Sequence, residues 1–71
     1  MSSGIVKWFN PTMGYGYIMG FDGSDIYFHN TSIIDRQHPL NWPSGTKVEF
    51  DLIQTTIGFE ATNIRLSALA W

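Results

Sequence analysis

The chain has no cysteine among its 71 residues, which excludes a disulfide framework, a thiolate metal site and a cysteine nucleophile. Cations are scarce as well: four Lys and Arg stand against six Asp and Glu, a formal net charge of −2. That balance argues against a protein that holds a polyanion by phosphate neutralisation alone. Apolar runs last only a few residues, too short for a membrane-spanning helix. Met1-Ser2-Ser3-Gly4 lacks the charged and apolar regions of a signal peptide. No segment sustains a 3.6-residue period, and internal repeats and low-complexity tracts are missing. One soluble, cytoplasmic domain is expected, with a small core and a modest stability.

Aromatic residues, by contrast, are plentiful. They make up 15% of the chain, and a core this small has little room to hide them all. The punctuation is that of an all-β protein, with Gly or Pro at Pro11, Gly14, Gly16, Gly20, Gly23, Pro39, Pro43, Gly45 and Gly58. Between these breaks lie short runs rich in Val, Ile, Phe, Tyr, Trp and Thr. Five strands are predicted, over Gly4–Asn10, Tyr15–Gly20, Asp25–His29, Thr46–Gln54 and Phe59–Leu66. Phe21-Asp22-Gly23-Ser24 reads as the hairpin turn between the second and third, and Thr31–Ile34 as a single 3₁₀ turn.

Alternation along a strand assigns faces. Ile18 shares its face with Gly14 and Gly16, while Tyr15 and Tyr17 point the other way. Ile26 and Phe28 oppose Tyr27 and His29; Val48, Phe50 and Leu52 oppose Lys47, Glu49 and Asp51. In the last strand Thr62, Ile64 and Leu66 are expected to point inward. The expected core is Val6, Ile18, Ile26, Phe28, Ile33, Val48, Phe50, Leu52, Ile64 and Leu66. Phe9 joins it only if strict alternation breaks near Trp8, which predicts a β-bulge there. Five short antiparallel strands leave edges that need covering, so a small closed barrel is expected.

Tyr15, Tyr17, Tyr27 and His29 then share one outer face, and Trp8 joins them if the first strand pairs with the second. Gly14 and Gly16 would let a ribose or base approach the backbone between the rings. Such a face is a stacking platform, on which each base gains about 1–3 kcal/mol largely irrespective of its identity. Stacking reconciles an acidic chain with nucleic-acid binding. The same rings also fit cross-strand pairing alone or a protein–protein interface.

Lys7-Trp8-Phe9-Asn10, Gly14-Tyr15-Gly16-Tyr17-Ile18 and Asp25-Ile26-Tyr27-Phe28-His29, in this order and spacing, resemble the bacterial cold-shock proteins. The second block resembles their first ribonucleoprotein motif and the third their second. Gly45, Val48, Phe50, Gly58, Ala61, Asn63 and Ile64 continue the pattern, so that the resemblance covers residues 4–66, leaving residues 1–3 and 67–71 as tails. The RNA recognition motif carries similar submotifs in the reverse order and needs two amphipathic helices, which this chain lacks. The resemblance implies a five-stranded antiparallel β-barrel of the oligonucleotide-binding fold. It implies binding of single-stranded RNA or DNA with little sequence preference, and an RNA chaperone role with effects on transcription and translation. Trp8, Tyr15, Tyr17, Tyr27 and His29 would be the stacking residues, Lys7 would touch phosphate, and Asp25 would accept a hydrogen bond at the site's edge.

Departures from the family pattern are also legible. Met13 stands where a lysine is usual and removes a charge. Asn30 replaces a phenylalanine, trading a ring for a side chain able to hydrogen-bond a base edge. Phe59 replaces a proline and adds a ring on the neighbouring loop. The phenylalanines usual in both motifs are tyrosines here. In the family the loop Ile34–Ser44 contributes an aromatic contact, for which His38 and Trp42 are candidates. Trp42 is better read as plugging the barrel beneath that loop, and His38 as a solvated loop histidine that is still kept as a candidate binding residue. Trp71 ends an apolar tail, Ala68-Leu69-Ala70-Trp71. His29, Asp22 and Asp25 do not have metal-ligand spacing, and no nucleophile–base set is present. No enzyme activity, metal, cofactor or small-molecule substrate is therefore expected. The alternative reading is a protein-interaction barrel with weakened nucleic-acid binding. A monomer is expected, with oligomers left open.

Overall fold

The computed structural model describes residues 2–34 and 42–67. Five strands form: β1 (Ser2–Asn10), β2 (Tyr15–Gly20), β3 (Asp25–His29), β4 (Lys47–Thr55) and β5 (Gly58–Leu66). A 3₁₀ turn over Asn30–Ser32 follows β3. The strands close into a barrel in the order β1-β2-β3-β5-β4. All neighbours are antiparallel except β3 and β5, which close the barrel in parallel through Tyr27 opposite Glu60 and an isolated bridge between Ile33 and Ile64. The barrel and its strands agree with the sequence expectation to within two residues at each end.

Local chemistry explains the turns. The Asn10 side chain accepts from the backbone N–H groups of Thr12 and Met13, at 3.0 Å each, and so folds the connection between β1 and β2. Gly14 ends that turn at φ +83°, a left-handed conformation that a β-carbon disfavours. Between β2 and β3, Asp22 Oδ1 accepts from Ser24 N–H at 3.0 Å. That bond holds the Asp22 carboxyl below its ordinary pKa.

The core consists of Val6, Ile18, Ile26, Phe28, Ile33, Trp42, Val48, Phe50, Ala61 and Ile64, with Phe9 and Leu66 packed against it. Two bulges decide its membership. Val6 faces Ile18 but Trp8 faces Tyr17, so β1 spends an extra residue at Lys7. The expected bulge is thereby present, and Phe9 turns in to stack on Phe28 at 5.4 Å between ring centres. Ser44 Oγ donates to the Lys7 carbonyl at this point. On β5 the register runs from Arg65 opposite Glu49 to Thr62 opposite Asp51. The extra residue there is accommodated by Asn63 at φ +51°.

This second bulge corrects the expected face of β5: Ala61 is fully buried together with Ile64, and Thr62 is only half-buried. Leu52 is a second correction, being 43% exposed. The described pairing of β1 with β4 ends at Ser2 opposite Phe50, and Leu52 is paired on its other side with the small Ala61 of β5. Trp42 is buried under the barrel's end, 6.5 Å from the Phe28 ring, as its reading as a plug requires.

Candidate nucleic-acid interface

The register brings the outward aromatic residues together. Trp8 lies opposite Tyr17, Tyr17 opposite Tyr27, and Tyr15 opposite His29, across β1, β2 and β3. Without the bulge at Lys7, Trp8 would alternate inward with Val6. The rings form a closed circuit: Trp8 to Tyr15 at 5.4 Å, Trp8 to Tyr17 at 5.5 Å, Tyr15 to Tyr27 at 6.0 Å and Tyr17 to Tyr27 at 5.9 Å. These separations suit edge and tilted contacts, each worth about 0.5–1.5 kcal/mol. The rings therefore hold one another in place while Trp8 stays 40% exposed.

His29 sits at the end of this face and caps the 3₁₀ turn, with Nδ1 accepting from Thr31 N–H at 3.2 Å. This acceptor role leaves the proton of the neutral ring on Nε2. Asn30 is half-buried beside Gly14, its backbone N–H donating to the Gly14 carbonyl at 2.8 Å. Its amide nitrogen lies 3.1 Å from the place where a Gly14 β-carbon would stand. Met13 is 63% exposed on the adjoining turn.

Gly16 does not serve the outer face as expected. It is buried, and a β-carbon there would meet the Trp8 carbonyl oxygen at 2.3 Å and Phe9 Cα at 2.9 Å. The residue is glycine because β1 crosses it closely on the inner side, so no bare backbone is offered between the rings.

Lys7 and Asp25 flank the aromatic face on β1 and β3, and their side chains meet over β2. Lys7 Nζ donates to Asp25 Oδ1 at 3.0 Å, and both groups are about half exposed. An ion pair in that setting contributes about 0–1 kcal/mol. Arg65 is directed elsewhere, 3.6 Å from Glu49.

Phe59 is 44% exposed on β5 and joins the face from the other side. With Tyr17, Tyr27, Asp25, Glu60, Thr55 at the end of β4, Ile57 in the turn and Gly58 at the start of β5 it lines an open hollow of about 430 Å³. Glu60, Thr55 and Ile57 were not singled out by sequence. Only the parallel closure of β3 against β5 brings them to the tyrosines. The one available signal was an isoleucine in a turn, and Ile57 is 92% exposed. His38 lies outside the described residues, as does Trp71. The other site candidates, Lys7, Trp8, Tyr15, Tyr17, Asp25, Tyr27, His29, Asn30 and Phe59, belong to this face or its border. Among the described residues no group of acidic or histidine side chains gathers that could hold a metal ion, and no helix is long and apolar enough to cross a membrane.

A closed five-stranded barrel with an aromatic outer face defines the class of protein, and comparison with known proteins defines the family. Residues 2–67 match the family described as the 'Cold-shock' DNA-binding domain. The chain is 41% identical to Cold shock protein 2 of Lactiplantibacillus plantarum over 66 residues, 92% of this chain and 97% of that protein. It is 37% identical to Cold shock protein CspC of Bacillus subtilis over 65 residues, again 92% and 97% of the two chains. It is 38% identical to Cold shock protein CspB of Geobacillus stearothermophilus over 64 residues, 90% and 96% of the two. The chain belongs to the cold-shock domain family.

Proposed function

We propose that this protein binds single-stranded RNA or DNA by stacking bases on Trp8, Tyr15, Tyr17, Tyr27 and His29, and acts as an RNA chaperone of low sequence specificity. The observation that carries the reading is the four-ring circuit on one outer face of the barrel, with Trp8 exposed, the three tyrosines half-buried and the ion-paired Lys7 at its border. Stacking at about 1–3 kcal/mol per base supplies affinity that so few cations cannot. Lys7 contacts phosphate by exchanging Asp25 for the strand, Asp25 and Asn30 hydrogen-bond base edges, and Phe59 extends the platform toward the β4–β5 turn.

The test is a tryptophan fluorescence titration with short pyrimidine-rich single strands and with a duplex of the same sequence. The single strand quenches, the duplex does not, and in a Trp71→Phe background Trp8→Phe abolishes the response, because the remaining Trp42 is buried. Absence of quenching by any strand, with the barrel intact by circular dichroism, overturns the reading. In that case a nuclease-insensitive protein partner on the same face is the next thing to seek.

A further inference from the structure

The hollow beside the tyrosines has a chemistry that base stacking leaves unused. Its walls are Tyr17, Tyr27 and Phe59, its rim is the almost fully exposed Ile57, its charged groups are the carboxylates of Asp25 and Glu60, and the Thr55 hydroxyl in its lining donates to the Gly58 carbonyl. At about 430 Å³ it falls in the range of small-molecule sites and admits a single base. Asp25 shares one oxygen with Lys7. Glu60 makes no side-chain hydrogen bond or ion pair among the described residues. Glu60 stands in register with Tyr27, at the foot of the aromatic face.

We infer that this hollow takes a guanine of the bound strand, with Glu60 accepting from the base's donor edge. The inference rests on the single-strand reading above. A carboxylate offers only acceptors. Guanine alone among the bases sets two donors side by side, N1–H and the N2 amino group, to match two carboxylate oxygens. Cytosine and adenine place a ring-nitrogen acceptor next to their amino group. Uracil and thymine flank N3–H with two carbonyls, whose lone pairs the carboxylate repels. Hydrogen bonds to a charged acceptor are also the stronger kind. Tyr17, Tyr27 and Phe59 offer ring faces to the purine, and Ile57 covers it from the rim.

The experiment compares heptamers that are all thymidine except for a central guanosine or a central inosine, which lacks only the N2 amino group. All-thymidine heptamer and guanosine 5′-monophosphate complete the set, each titrated against the protein and against Glu60→Gln. The guanosine strand binds more tightly than the inosine strand by on the order of tenfold, the worth of one hydrogen bond to a charged acceptor. In Glu60→Gln the difference collapses while all-thymidine binding persists. Equal affinity for guanosine, inosine and thymidine strands overturns the inference and leaves the stacking reading standing. Failure of every strand to bind overturns both. A mononucleotide that binds as tightly as the guanosine strand overturns the assignment of the hollow to a strand. The guanosine–inosine comparison on the unaltered protein decides the matter even if the variant folds poorly.

Discussion

At the scale of single residues, the tyrosines and Trp8 have two duties that pull in the same direction. Each ring packs on its neighbours and each keeps an exposed surface for a ligand. Tyr15→Ala and Tyr27→Ala are each expected to weaken single-strand binding by about 1–3 kcal/mol, read by fluorescence titration alongside circular dichroism. Gly16 shows the opposite economy, with its whole purpose inside the barrel. The atom nearest to a β-carbon at this position is backbone, the Trp8 carbonyl oxygen at 2.3 Å, which cannot move aside alone. Gly16→Ala is therefore expected to destabilise the fold by about 1–3 kcal/mol or more, measured as a lower urea midpoint. Alternation placed Gly16 on the inner face correctly. It could not reveal that a neighbouring strand fills the space there, because that contact depends on the register of β1 on β2.

At the scale of elements, the two bulges do more than any single side chain. The one at Lys7 turns Trp8 outward and Phe9 inward, and so joins the platform to the core. Its sequence signal was readable, since Val6 and Phe9 cannot both be inward under strict alternation. The one at Asn63 left no such signal, because Ala61, Thr62 and Ile64 permit two inward sets. Asparagine there tolerates φ +51°, and its amide donates to Asp51 Oδ2 at 2.9 Å. Asn63→Val should cost about 1–2 kcal/mol from the left-handed backbone alone. Asn63→Gly, which accepts that backbone freely, should cost less. Urea denaturation of the pair checks the order.

At the scale of the whole molecule, charge and shape set the terms of binding. The chain is acidic overall, and the lysine beside the platform is held by Asp25 at 3.0 Å. Binding should accordingly show a shallow salt dependence, since each neutralised phosphate on a single strand contributes about −0.7 to the slope. Asp25→Asn releases the Lys7 ammonium and should steepen that slope by roughly one phosphate equivalent, about 0.7. Stability should change by no more than about 1 kcal/mol, as for any exposed ion pair. An unchanged slope would mean that Lys7 does not reach the strand. The shape contributes the hollow: closing the barrel through parallel β3 and β5 sets the turn after β4 against the tyrosines.

The sequence by itself determined the strand count, the barrel, most of the core and the outward aromatic row. Each of these follows from period-two alternation and from turn residues, which are local properties. Tertiary structure alone decided the fates of Leu52, Ala61, Gly16 and Glu60. Leu52 is exposed beyond the described β1–β4 pairing, which ends at Phe50, and Ala61 is buried because β5 gains a residue at Asn63. Gly16 is compelled by the backbone of a neighbouring strand, and Glu60 reaches the aromatic face through the parallel pairing of β3 with β5. These four outcomes depend on which residues of different strands lie side by side, and local alternation carries no information about register between strands.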